Sequence, residues 1–234
     1  MLLAIDTSTR YAGVALGAEG RVVSVKSWFS SVNHTVELMP AISAILQSQG
    51  MSAAGLSGIA VALGPGGFSA LRVGVSVAKG LAMTAGKPLV GVGTLDLEAF
   101  PYLESGLPVC ALLDAGRQEV AVAHFGPDGR RDREDVVCTP QALFEAVGEP
   151  TIFCGEGVET RTQMIKDGLG ALAVTVKPAP GARLWSLLEM GGQRLAAGEA
   201  DDIAALQPNY LRMPSIGGPK RRDWAPQGSP RILG

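Results

Sequence analysis

The sequence has few of the groups that usually carry catalysis. Only two of its 234 residues are histidine, His34 and His124, and they lie in separate halves. No H-E-x-x-H or other histidine pair at helical spacing exists, which argues against a histidine-paired metal site. The three cysteines, Cys110, Cys138 and Cys154, form no C-x-x-C pair, and their odd number makes a poor disulfide framework. No G-x-S-x-G elbow exposes a serine nucleophile. A Cys–His dyad using His124 is left open by spacing, beside the plainer reading of an ordinary core or surface histidine. Basic excess is missing too. Twenty Lys and Arg against 22 Asp and Glu give a net charge of −2, unlike a chain that holds nucleic acid unaided. Aromatics, at 5%, are too sparse for base-stacking platforms. Residues 38–71 carry no charge, yet Pro40, Gln47, Gln49, Gly50, Gly64, Pro65 and Gly66 interrupt them. No 18-residue apolar stretch survives to span a membrane. MLLAIDTSTR has no basic n-region and meets Asp6 after five residues, so it does not read as a signal peptide. A soluble cytoplasmic protein is expected.

What is present is globular. With 47% hydrophobic and 18% charged residues, the chain can build a core without a metal or disulfide staple. Leu2–Ile5, Ala12–Leu16 and Arg21–Trp28 read as strands, the last two joined by a turn at Ala18-Glu19-Gly20. His34–Gln47 switches to helical spacing through Leu38, Ile42, Ile45 and Leu46, with Asn33 as N-cap. A strand at Ile59–Leu63, a helix at Phe68–Ala85 and a strand at Pro88–Val92 follow.

The order β-β-β-α-β-α-β then repeats. Val109–Leu113 ends at Asp114 as the first strand ends at Asp6, and Val14 and Val122 each lie eight residues past their aspartate. Glu119–Phe125, Arg131–Val137, helix Gln141–Val147, strand Thr151–Cys154, helix Val158–Gly168 and strand Leu172–Val176 complete the second set. Sequence identity between the halves is negligible, so the repeat is one of topology. The expected class is α/β, with two tandem ribonuclease-H-like halves as in actin-like ATPases. The expected units are 1–103 and 104–182, then C-terminal helices over 183–216 packing back on the body. A disordered tail is expected over 217–234.

Asp6-Thr7-Ser8-Thr9 places a carboxylate and hydroxyls at a strand end, where they meet phosphate or hydrated Mg²⁺, or serve as a polar turn. Gly64, Gly66 and Gly67 open the helix Phe68–Ala85, as an anion loop or a structural turn. It is neither a dinucleotide fingerprint nor a Walker loop, because Ser69 stands at the sixth position of G-x-G-x-x-G and no G-K-[ST] run exists. The second half offers Asp114-Ala115-Gly116-Arg117, without hydroxyls. Two helices are unusually poor in charge. Leu38, Met39, Ile42 and Leu46 line one. Val73, Val77 and Leu81 line the other, beside a small-residue face of Gly74, Ala78 and Ala82. They read as a partner interface or as simple core.

LLAIDTSTRYAGVAL, HTVELMPAI, GIAVALGPGGFSALRVGVSVAKGLA and QPNYLR together resemble the TsaB family of bacterial tRNA threonylcarbamoyladenosine biosynthesis proteins. The resemblance is strongest over residues 1–95. The family's usual GPGSFTGLR reads GPGGFSALR here, with changes at Gly67, Ser69 and Ala70. It implies a non-catalytic subunit of the complex that transfers threonylcarbamoyl to the adenosine beside the tRNA anticodon. A TsaD-like catalytic subunit and a TsaE-like ATPase are the implied partners, with ATP and a divalent metal belonging to them and none to this chain. The implied pairing surface is Leu38, Met39, Ile42, Leu46, Val73, Gly74, Val77, Ala78 and Leu81, used by a homodimer when the chain is alone. Asp6, Thr7, Ser8, Thr9, Gly64, Gly66 and Gly67 are the candidate phosphate site, and tRNA is met only through the complex. Two alternatives stay open: a metallopeptidase-like protein, and an autonomous actin-like phosphotransferase using Asp6 and the glycine loop.

Overall fold

The computed structural model describes residues 1–31, 34–179 and 181–211. The first half contains β1 (Leu2–Asp6), β2 (Tyr11–Ala18), β3 (Arg21–Phe29), α1 (His34–Ser48), β4 (Gly58–Gly64), α2 (Phe68–Ala85), β5 (Leu89–Gly93) and α3 (Thr94–Ala99). The second contains β6 (Val109–Gly116), β7 (Glu119–Phe125), β8 (Val136–Cys138), α4 (Pro140–Glu145), β9 (Thr151–Cys154), α5 (Glu156–Glu159), α6 (Thr162–Leu169) and β10 (Ala173–Thr175). Helix α7 (Ala182–Ala196) follows.

Both sheets have five strands in one topology, β3-β2-β1-β4-β5 and β8-β7-β6-β9-β10. In each, an antiparallel hairpin lies beside parallel strands, as in two tandem ribonuclease-H-like halves. The central strands are continuous apolar runs because both faces of the sheet are covered. Along β1, Leu3 and Ile5 point to a cluster under α1 and α2, while Leu2 and Ala4 point to α7. Small residues let α7 approach closely. A Cβ on Gly58 would stand 2.5 Å from Leu195 Cδ1, and one on Gly191 would stand 2.6 Å from Ala60 Cβ. Helix α2 ends where Gly86 adopts the left-handed conformation, φ 62°, that glycine tolerates.

The second sheet carries α4, α5 and α6 on one face, around Leu112, Phe153 and Ile165. Its other face meets α3, whose Leu95 and Ala99 join the cluster of Val109, Ala111 and Phe125. Leu97 of the same helix joins the cluster under α7. Helix α3 therefore wedges the halves together.

Several expectations are corrected. Residues 93–99, to which the sequence pattern assigns no element, hold α3, and a 3-10 turn follows over Phe100–Tyr102. Six residues are too few for a helical period, and tertiary burial forms the helix. In place of a strand over Arg131–Val137, β8 has three residues, Val136–Cys138, because only these pair with β7 as a ladder and Arg131 makes an isolated bridge to Phe125. Helix 158–168 divides into α5 and α6. A single described helix, α7, replaces the helices expected over 183–216, and 201–211 is an extended segment with turns. The Asn33 cap and the tail 217–234 lie outside the described residues.

That segment covers the open edge of β5. Asp201 N–H donates to Leu89 O at 2.9 Å, and Asp201 Oδ2 accepts from Gly91 N–H at 2.7 Å. Arg194 donates to Gly91 O at 2.8 Å and pairs with Asp201 at 2.9 Å. An exposed sheet edge is thus satisfied within the chain. Burial raises the Asp201 carboxyl, but the Arg194 and Gly91 donors outweigh it and hold it below its ordinary value. No helix among the described residues is long and apolar enough to cross a membrane.

Candidate functional site

Strand β1 delivers Asp6 to the junction of the halves. The structure brings its turn against the glycine loop, as the candidate phosphate site requires, but the side chains of Asp6, Thr7, Ser8 and Thr9 are already hydrogen-bonded within the chain. Asp6 Oδ1 accepts from Ser8 N–H at 2.8 Å and from Ser8 Oγ at 2.6 Å. Thr7 Oγ1 donates to Ala70 O at 2.7 Å, and Gly67 N–H donates to Ser8 O at 2.8 Å. Gly64 N–H donates to Thr94 Oγ1 at 3.1 Å, and the Gly64–Pro65 peptide is cis. Asp6, Thr7 and Ser8 are at most 2% exposed. A Cβ on Gly66 would collide with Ser8 O, and one on Gly74 with Thr7 Oγ1. The glycines serve close packing of loop and helix onto the turn.

A residue that sequence reasoning missed dominates the site. Arg183, in the first turn of α7, is 7% exposed. Its Nε donates to Asp6 Oδ2 at 2.6 Å. Nη1 donates to Glu98 Oε1 at 2.8 Å and to Glu156 Oε1. Nη2 donates to Thr9 Oγ1 at 2.8 Å and to Tyr11 O at 2.9 Å. Thr9 Oγ1 in turn donates to Glu156 Oε1 at 2.7 Å. Burial pulls the guanidinium's pKa down, but Asp6, Glu98 and Glu156 overcome this and raise it well above its ordinary value. Glu98 moves the other way from a usual paired carboxylate. Its desolvation exceeds the pull of Arg183, so its pKa is raised. Beside the cluster lies a cavity of about 250 Å³ bordered by Tyr11, Glu98, Glu156, Glu159 and Lys177. One signal in sequence pointed here. Arg183 is a cation in the first helical turn, where the helix dipole disfavours positive charge unless carboxylates surround it.

The second half's turn is open. Asp114 Oδ1 accepts from Gly116 N–H at 2.7 Å, and Arg161 lies 3.4 Å from its other oxygen. A cavity of about 490 Å³ separates this turn from Pro65, Gly66, Phe68 and Tyr210. His34 stands alone at the start of α1. Its pKa is lowered by burial, against the pull of Glu37 and Asp6. No group of three His, Cys, Asp or Glu side chains placed to hold a metal exists among the described residues.

Helices α1 and α2 lie side by side on one face of the first sheet, and the expected pairing surface is corrected residue by residue. Leu38, Ile42, Leu46, Gly74 and Ala78 point into the chain's own core, with Leu38 and Ala78 fully buried. The sheet takes the small-residue face of α2, because a smooth face lets the helix sit close, and periodicity could not choose between the two faces. Met39 is 46% exposed, and Val73, Val77 and Leu81 are half-buried. Val36 and Met83 add the most exposed apolar side chains of these helices.

Residues 29–149 match the family model described as "TsaD: tRNA N6-adenosine threonylcarbamoyltransferase". Over 225 residues the chain is 34% identical to the tRNA threonylcarbamoyladenosine biosynthesis protein TsaB of Haemophilus influenzae, covering 90% of this chain and 93% of that one. The chain belongs to the TsaB family. TsaB of Bacillus subtilis is 29% identical over 91% of this chain and 94% of that one. The solved structure of YeaZ from Pseudomonas aeruginosa superposes with a TM-score of 0.72 at 28% identity, covering 90% of this chain and 99% of that chain. The TsaD model reaches about half of the sequence, whereas the TsaB relatives match nine-tenths of it. The family placement read from GPGGFSALR and its flanking motifs therefore holds.

Proposed function

We propose that this chain is the non-catalytic subunit of the machinery that makes tRNA threonylcarbamoyladenosine, binding and activating a TsaD-like catalytic subunit. The observation that carries this reading is the Asp6 turn. A family match over nine-tenths of the chain meets a candidate phosphate turn whose side chains are hydrogen-bonded internally, which favours leaving the chemistry to a partner. The outward residues of α1 and α2, Val36, Met39, Val73, Val77, Leu81 and Met83, form the pairing surface, and a second copy uses it when the partner is absent. A TsaE-like ATPase supplies ATP hydrolysis, and tRNA is contacted through the complex.

Pairing through apolar side chains predicts sensitivity to charge. An aspartate at Val77 would be buried at the interface without a counter-ion, which costs several kcal/mol and outweighs a micromolar association. The test is co-expression with the TsaD-like subunit, followed by gel filtration and a tRNA modification assay. The unchanged chain should co-elute and support modification, and Val77→Asp should stay folded and do neither. Peptide cleavage or ATP hydrolysis by the isolated chain would contradict the proposal.

A further inference from the structure

We infer that Arg183 is a built-in cation standing where a metal–phosphate group would sit between the halves, sealing the Asp6 turn against nucleotide and fixing the halves in one orientation. This stands or falls independently of which partner the chain binds.

Three carboxylates from different parts of the fold converge on one point: Asp6 from β1, Glu98 from α3 and Glu156 from α5. Buried like charges this close demand a cation. The guanidinium supplies it with matched stoichiometry. A guanidinium has five N–H donors, and this one meets five acceptors: Asp6, Glu98, Glu156, Thr9 Oγ1 and Tyr11 O. No donor is left for a phosphate oxygen. Asp6 already accepts on both oxygens, from Ser8 on Oδ1 and from Arg183 on Oδ2, so a hydrated metal would have to compete with the guanidinium there.

The adjoining cavity repels phosphate as well, since Glu98, Glu156 and Glu159 face it with Lys177 as the added cation. The nucleotide and divalent ion that the actin-like architecture implies therefore do not fit this chain. The same contacts join the halves, because Asp6, Thr9 and Tyr11 belong to the first and Glu156 to the second. One side chain thus bridges the two halves.

Calorimetry on the full chain with Mg-ADP, and separately with Mn²⁺, should show no saturable binding. Saturable Mg-ADP binding that Asp6→Asn abolishes would overturn the inference. Asp6, Glu98 and Glu156 are not arranged to hold a metal with Arg183 between them, but Arg183→Ala leaves the three carboxylates without their cation and free to close on one. Mn²⁺ should therefore raise its melting temperature saturably, and Arg183→Ala/Asp6→Asn should lose that response. A folded Arg183→Ala chain that ignores Mn²⁺ would contradict the substitution. Arg183→Lys keeps one positive charge and guards against failure of the alanine variant to fold. It should not respond to Mn²⁺, but a single ammonium cannot reach every acceptor. Amide exchange over residues 9–11 and 156–159 should therefore quicken at least tenfold. Exchange equal to the unchanged chain would show that Arg183 does not tie the halves together.

Discussion

The two halves share a strand order yet differ in what their elements can hold. In the first, helices of 15 and 18 residues cover one face of the sheet and α7 covers the other. In the second, the helices on one face have four to eight residues, and the outer strands β8 and β10 have three each. Their first turns differ in the same sense. Asp6 is buried and bonded on both oxygens, whereas the Asp114 side chain is 62% exposed. The first half is the more fully covered platform, with Asp6 at its turn buried and bonded on both oxygens. The second is a lighter unit attached through α3 and Arg183.

The largest effect that would test this contrast is Ala78→Glu, which places a charge in the fully buried seam between α2 and the first sheet. We expect loss of folding by circular dichroism, at a cost of several kcal/mol. Its neighbour Val77→Asp should stay folded and fail only in pairing. If Ala78→Glu stays folded and monomeric, α2 packs with its other face inward.

Next is Phe153→Ala in the core of the second sheet, where the ring is fully buried. It should cost about 3–5 kcal/mol. Hydrogen exchange should quicken across β6, β7 and β9, while β1, β2 and β4 keep their protection. Uniform loss of protection in both halves would break the comparison.

Two glycines sharpen it further. Gly66→Ala drives a Cβ into the backbone of Ser8, and overpacking of this kind costs about 1–3 kcal/mol or more. Gly116→Ala has open space and only its left-handed backbone, φ 73°, to oppose it, about 1–2 kcal/mol. Denaturant midpoints should rank them in that order.

The smallest effect is a pH dependence in the second half. Burial, helped by Arg133, pulls His124 down from its ordinary 6.5 to about 4. Between those values the unfolded chain takes up a proton that the folded chain refuses, so stability falls as pH falls from 6.5 to 4. His124→Gln should flatten that part of the profile, measured by urea melts at each pH.

Much of this was legible in sequence where local pattern and tertiary demand agree. β1 and β4 are short apolar runs ending at Asp6 and Gly64, and α2 runs from a glycine loop to Gly86, so their types and limits were readable. Helix α3 was not, since Thr94–Ala99 gains its helix from packing between sheets. Arg183 was visible as a residue but not as a site, because its acceptors Asp6 and Glu98 lie 177 and 85 positions away. The small face of α2 was visible, but its direction was not. Glycine and alanine suit a partner's helix and the chain's own sheet equally well.

The most direct test of the central claim is reconstitution with the TsaD-like subunit, the TsaE-like ATPase, ATP, the threonylcarbamoyl donor and tRNA. The measurement is modified adenosine formed with and without this chain. The account predicts modification only when the chain is present, and none from the chain alone. Full modification in its absence, or any by the chain alone, would contradict it.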